Sequence, residues 1–162
     1  MKRICLLILI SIIVGNISGC QKIRIFIHNI TKKEINLIPD KDYNYRWGFR
    51  KKSGKFIIKP QFDYADSFIQ SEGIAPVKLH DKWGFIDKTG KIVIDIQFDY
   101  INVFLEGLCA VRKDDKWGFI DKTGIVVEPQ FEWVSDFENG KAHVRYNGEK
   151  SRTIDKTGKF IE

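Results

Sequence analysis

The chain has 162 residues, 27 Lys+Arg against 21 Asp+Glu for a net charge of +6, and is 43% hydrophobic and 13% aromatic. That length suits one compact domain or a short repeat array, and the aromatic content excludes a disordered chain, which has too little apolar surface to offset the entropy of ordering. Thirteen Gly and 4 Pro are too few for a collagen-like or low-complexity polymer.

Met1-Lys2-Arg3 gives a short basic start, Ile4 to Val14 is an apolar run of 11 residues, and Ile17-Ser18-Gly19-Cys20 follows with small residues before a cysteine. This is the pattern of an export signal. A membrane-spanning helix needs about 20 apolar residues, and Gly15, Asn16 and Ser18 close the run before that length is reached. The segment resembles the signal peptide of bacterial lipoproteins, in which a small-residue motif ends in a cysteine that is lipidated and becomes the mature N-terminus. Ile17 stands where that family usually has Leu. The resemblance implies removal of residues 1–19, membrane attachment through lipid on Cys20, and a place in the cell envelope. One acyl chain holds only marginally, so a diacyl or triacyl cysteine is implied. Gln21 lacks the Asp signal that favours inner-membrane retention in some Gram-negative bacteria, so the outer membrane or cell surface is the preferred site.

Loss of Lys2 and Arg3 with the signal takes the net charge from +6 to +4. Cys5 also leaves and Cys20 is the lipid site, so Cys109 stands alone and no intramolecular disulfide is available. Cys109 is expected to be buried. Residues 20–46 read as the lipid-anchored N-terminal segment and a degenerate leading unit: Ile23, Ile25 and Ile27 alternate as a strand, and Ile35 to Pro39 stand in for the strand before Trp47.

From Trp47 the chain repeats itself. WGFRKKSGKFIIKPQFDYADSF starts at Trp47, WGFIDKTGKIVIDIQFDYINVF at Trp83, WGFIDKTGIVVEPQFEWVSDF at Trp117, and SRTIDKTGKFIE at Ser151. The period is about 34 residues, within the range of stacked repeat architectures, and gives units 47–82, 83–116 and 117–150 with a partial capping unit 151–162. Each unit shows short alternating runs broken by turn residues, the signal of strands and hairpins. In Trp83-Gly84-Phe85-Ile86 the aromatics lie two apart on one face, with Gly84 and Ile86 on the other. Asp87-Lys88-Thr89-Gly90 turns the chain, Asp accepting backbone amides ahead of it and Gly supplying positive φ; Gly54, Gly124 and Gly158 occupy the same place. A strand over Gly73–Val77, Gly107–Val111 and Gly140–Val144 precedes each new start, with Ala75, Cys109 and Ala142 in one small-apolar column.

These motifs resemble the WG-repeat family of bacterial proteins, whose units carry a W-G-F/Y-I-D-x-x-G hairpin, a P-x-F/Y-D segment and a G-x-A-x-V strand. The structural residues matched are Trp47-Gly48, Trp83-Gly84 and Trp117-Gly118 with the turn glycines. Ile96 departs from the usual Pro, Arg50-Lys51 replace Ile-Asp in the first unit, and Ser151 and Thr153 replace Trp and Phe in the last. A single unit buries too little to fold alone, and terminal units need a polar outer face, so Ser151 and Thr153 read as a cap. The predicted fold is all-β, a tandem array of short antiparallel strands, roughly three per unit, running as an open superhelix or closing like a propeller.

Asp-Lys-Thr-Gly at 87–90, 121–124 and 155–158 also opens the phosphorylated-aspartate motif of P-type ATPases. That motif continues with Thr, whereas Lys91, Ile125 and Lys159 follow here, and a turn needs the Asp in every unit where catalysis needs one. His28, His80 and His143 are far apart with no ligand spacing around them, so no metal is expected. No phosphate loop or activated nucleophile is present in sequence, and neither cofactor nor catalysis is expected. Charges are interleaved rather than clustered, which argues against nucleic acid.

The Trp47, Trp83, Trp117 column and its companion Phe49, Phe85, Phe119 read as a core layer. Tyr64, Tyr100 and Trp133 form a second column beside Asp63, Asp99 and Glu132. It too is read first as core; if exposed, it would be a surface for stacking sugar rings or cupping a small cation. The sequence therefore leads to a lipid-anchored, non-catalytic envelope protein offering a surface to another protein, with an envelope glycan or small cation as the alternative ligand.

Overall fold

A computed structural model describes residues 36–161; Cys20, the signal segment and the alternating Ile23, Ile25 and Ile27 lie outside them. The described chain forms fourteen strands and no helix. They make four antiparallel sheets in chain order: β1 (Leu37–Lys41), β2 (Trp47–Lys51) and β3 (Phe56–Phe62); β4 (Tyr64–Ala65), β5 (Ile74–Leu79), β6 (Lys82–Asp87) and β7 (Ile92–Phe98); β8 (Tyr100–Leu105), β9 (Leu108–Lys113), β10 (Lys116–Asp121) and β11 (Gly124–Phe131); β12 (Trp133–Val134), β13 (Lys141–Arg145) and β14 (Arg152–Asp155). Three strands per unit were expected. The inner sheets have four, because the residues after each Phe-Asp also pair, at the edge of the following sheet. The sheet changes at the single residue Asp63, Asp99 or Glu132, so each sheet straddles two sequence units. The strand expected over Ile35 to Pro39 is observed over Leu37–Lys41.

Both faces of an inner sheet are buried, and each belongs to a different core. Phe85 of β6 packs with Ile94, Phe98, Cys109, Val111 and Ile120, between the second and third sheets. Its neighbour Ile86 packs on the other face with Phe49, Ile58, Phe62, Ala75 and Val77, between the first and second. Phe119 with Ala142, Val144 and Ile154 repeats the arrangement one sheet on. Burying such a side chain is worth about 1.5–3 kcal/mol, so a sheet with only one covered face leaves half its apolar residues unused. Among the described residues no core joins the last sheet to the first, and the array is an open stack rather than a closed barrel.

The Trp-Gly dipeptide has a local reason. The return strand bulges where it passes the WG strand, with register shifts between Trp83 and Phe85 and between Phe85 and Ile86, and this brings its backbone onto the glycine. A Cβ on Gly84 would lie 2.7 Å from the Ile94 carbonyl oxygen and from Ile96 Cα. A Cβ on Gly48 would lie 2.5 Å from Ile58 O.

Asp87 Oδ1 accepts the Thr89 amide at 2.8 Å and the Thr89 hydroxyl at 2.6 Å, and Asp121 and Asp155 do the same with Thr123 and Thr157. The Asp-Lys-Thr-Gly segments are turns, and Gly54, Gly90, Gly124 and Gly158 all have positive φ. Burial opposes ionisation of Asp87 most strongly, but its bonds to Thr89, Lys91 and Gly90 outweigh it and hold the carboxyl below its ordinary range. For Asp121 and Asp155 the hydroxyl of Thr123 or Thr157 is the chief cause of the same lowering.

The end sheets explain the departures in sequence. Arg50 stands where Ile86, Ile120 and Ile154 are buried, but its side faces away from the stack, and it pairs there with Asp40. Thr153 takes the Phe position in the last sheet, with Oγ1 3.4 Å from His143 Nδ1.

Candidate functional site

Strand register places one aromatic, one cation and one Trp side by side across each inner sheet. Tyr64 lies opposite Lys78, which lies opposite Trp83. Tyr100, Arg112 and Trp117 repeat the row in the third sheet. The first sheet supplies Lys41 and Trp47, and the last supplies Trp133 and Arg145.

These rows lie at the rim, beside the hairpin turns, and the structure refines one expectation and corrects another there. Phe49, Phe85 and Phe119 are core, while Trp47, Trp83 and Trp117 pack against that core but are only half-buried. Tyr64, Tyr100 and Trp133, read first as core, are 41%, 49% and 45% exposed. The core partners of the WG-strand phenylalanines are instead Phe68, Phe104 and Phe137, with ring centroids 4.9, 5.5 and 4.8 Å from Phe49, Phe85 and Phe119. The recurring Phe four residues after each Tyr or Trp was the sequence signal for them.

Tyr64 sits between two sheets, its centroid 5.3 Å from Trp47 and 5.5 Å from Trp83. Tyr100 reaches Trp117 at 5.7 Å. Trp83 and Tyr100 make no ring contact with each other among the described residues, and at this break a groove of about 1240 Å³ opens, walled by Tyr64, Trp83 and Tyr100 and continuing past Ile69 and Val103 to Phe104. A second groove of about 850 Å³ begins at the next residue, Leu105, and runs between the third and fourth sheets.

The charges of the rim are mostly engaged. Lys41 Nζ stands 4.9 Å from the Trp47 ring, Lys78 Nζ 6.0 Å from Trp83, and the Arg112 guanidinium 5.9 Å from Trp117. Asp63, Asp99 and Glu132 cap the hairpin turns: Asp63 Oδ2 accepts the His80 amide at 2.6 Å, Asp99 Oδ2 the Asp114 amide at 2.9 Å, and Glu132 Oε2 the Gly148 amide at 3.1 Å. His80-Asp81 and Asp114-Asp115 are two-residue turns with positive φ at both positions, a geometry that matches the strand twist and was not legible because neither pair contains Gly or Asn. Arg46 pairs with Asp63 and Lys82 with Asp99. The Lys82 ammonium, then the Asp114 amide, hold the Asp99 carboxyl below its ordinary range, and Asp99 in turn raises Lys82.

Cys109 is buried in the core between the second and third sheets, where its thiol donates to the Asn102 carbonyl at 3.1 Å. Burial pushes its pKa up to about 12. Among the described residues no group of His, Cys, Asp and Glu is gathered to hold a metal ion, and no helix is long and apolar enough to cross a membrane.

The family model for the WG containing repeat matches residues 47–83, 83–117 and 117–149. No curated protein matches the chain.

Proposed function

The chain belongs to the WG containing repeat family, and on that premise we propose that it is a non-catalytic binding protein of the cell envelope, lipid-anchored at Cys20, whose aromatic rim engages another protein. The observation that carries the binding reading is the row of partly exposed rings Tyr64, Trp83 and Tyr100 bordering an open groove. Tyr, Trp and Arg are the residues enriched in interface cores, and here Arg112 lies between Tyr100 and Trp117. The basic start, apolar run and Ser18-Gly19-Cys20 of the sequence support export and acylation.

Crosslinking in intact envelopes tests it. The expected result is recurrent recovery of one partner with the wild-type chain, loss of that partner with Tyr64→Ala combined with Tyr100→Ala, and release of Cys20→Ser from the membrane fraction. Repeated empty recoveries from the wild type would overturn it.

A second reading, an envelope glycan stacked on Tyr64, Tyr100 and Trp133, is favoured by the exposure of these rings. The small-cation form of that reading is weaker. Lys41, Lys78 and Arg112 already stand near the Trp rings, and the acids beside the column are tied to turns. Retention of the wild type by purified cell-wall polysaccharide, lost with Trp133→Ala, would support the glycan.

A further inference from the structure

Resting on the reading that the rim is a binding face, we propose that the groove between β4 and β8 receives an extended polypeptide of alternating basic and aliphatic residues, which adds as a further strand to the outer edge of β8. The equivalent edge strands β4 and β12 are two residues long, pass through Asp66-Ser67 and Ser135-Asp136, and pair again only at the single residues Ile69 and Glu138. β8 follows the same course within one six-residue strand, pairing at Tyr100, Ile101, Phe104 and Leu105 on either side of a bulge at Asn102-Val103, and among the described residues it ends its sheet with no strand beyond it. Soluble proteins guard such edges by shortness, charge, Pro or a bulge, and of these β8 has only the bulge. Tyr-Ile-Asn-Val-Phe-Leu has no charge and no Pro, and it leaves Val103 59% and Leu105 41% exposed.

Main-chain bonding to an open edge, with side chains alternating into flanking pockets, is a recurring mode of peptide recognition. The two grooves provide such flanks, one ending at Phe104 and the other starting at Leu105. A six-residue strand spans about 20 Å at roughly 3.3 Å per residue, the length of β8.

Charge selects the occupant. The first groove is lined by Asp63, Asp66 and Asp81 with Lys78, and the second by Glu106, Asp136 and Glu138 with Lys141, an acidic excess in a chain of net charge +6. Arg46 pairs with Asp63, Lys78 with Asp81 and Lys156 with Glu106. The Asp66 and Asp136 carboxylates are met by neutral donors, the Ser67 amide at 2.6 Å and Asn102 Nδ2 at 2.8 Å. A second copy docking β8 on β8 would bring these carboxylates toward each other, whereas a basic segment compensates them.

The test titrates the full chain with a blocked, labelled Lys-Val-Lys-Val-Lys-Val peptide, its Glu-Val counterpart, and a Lys-Val version N-methylated on alternate amides. The Lys-Val peptide is expected to saturate, and the acidic and methylated peptides to bind about tenfold or more weakly, through like-charge repulsion and lost main-chain bonds. Asp66→Asn and Asp136→Asn, each with unchanged circular dichroism, should weaken binding about two- to fivefold, and Val103→Lys should abolish it. Equal binding of the acidic or methylated peptide, no saturation by the Lys-Val peptide, or a dimer that Val103→Lys converts to monomer would overturn the proposal. Partner crosslinking lost with Tyr100→Ala but intact with Val103→Lys would overturn strand addition while leaving the rim a binding face.

Discussion

Gly84→Ala isolates the steric role of the Trp-Gly dipeptide. Its Cβ would lie 2.7 Å from both Ile94 O and Ile96 Cα and 2.8 Å from Ile96 Cγ1, so relief requires β7 to move away from β6. Ile94 and Phe98 on that strand are buried in the core shared with the third sheet, and the shift is passed on to it. Overpacking a core costs about 1–3 kcal/mol, and because the obstacle is backbone the upper end, about 3 kcal/mol, is expected. Gly107→Ala is the control, with φ +85 and nothing within 4 Å of its Cβ; left-handed strain alone costs about 1 kcal/mol. At roughly 2–4 °C per kcal/mol for a chain of this size, thermal unfolding by circular dichroism should place Gly84→Ala about 6–12 °C below wild type and Gly107→Ala about 2–4 °C below. A Gly84→Ala midpoint no lower than that of Gly107→Ala would refute the argument that the crossing return strand dictates the glycine.

Three further outcomes follow from the same geometry. Because Cys109 is raised from 9.0 to about 12 in the folded chain, the unfolded state loses its proton first; stability is full below pH about 9 and falls as pH rises toward 12, by at most about 1.4 kcal/mol per pH unit. The stability difference between wild type and Cys109→Ala, measured by urea titration, should show that slope, and a pH-independent difference would count against it. Asp87, Asp121 and Asp155 are held below the ordinary carboxylate value of 3.8; the stability they give is present above that value and lost as pH falls through their folded values, so Asp121→Asn should flatten the acid limb of the unfolding curve, with an unaltered limb as the contrary result. Trp133 should be the most readily acrylamide-quenched Trp, and Trp133→Phe should remove the steepest component of the quenching plot; equal quenching of all four Trp would contradict its exposure.

The repeat period, the turns and the small-apolar column were legible because each depends on residues close in sequence. Asp87 and Thr89 meet within one turn, and Ala75, Cys109 and Ala142 read as one face of one strand type. The Trp column packs against the core without being enclosed by it, for a definable reason. Alternation tells which face a side chain takes but not how far along the strand it sits. Phe85 is mid-strand, covered by the sheet beyond it; Trp83 stands one residue after the start of β6, next to the His80-Asp81 turn, and is covered only in part. The same position leaves Tyr64, Tyr100 and Trp133 in solvent. The break between Trp83 and Tyr100 depends on contacts between sheets, which the spacing of a single unit does not carry.

Stacking itself narrows where a partner can bind. In the inner sheets both faces are consumed by neighbouring sheets, and the residues that do this, Phe85 with Ile86 and Phe119 with Ile120, recur because each unit repeats the same packing problem. The turns recur for the same reason. What remains for recognition is the rim, where the aromatic rows repeat but the bulge of the edge strand does not: Asp66-Ser67, Asn102-Val103 and Ser135-Asp136 occupy one place in three successive edges. The middle edge replaces the acids of its neighbours with an amide and an exposed aliphatic side chain, and beyond them it pairs at two residues where each neighbour pairs at one. A position released from the packing constraint that fixes the rest of the unit, and different in the one edge that faces both grooves, is where selectivity for a partner can reside without disturbing the stack.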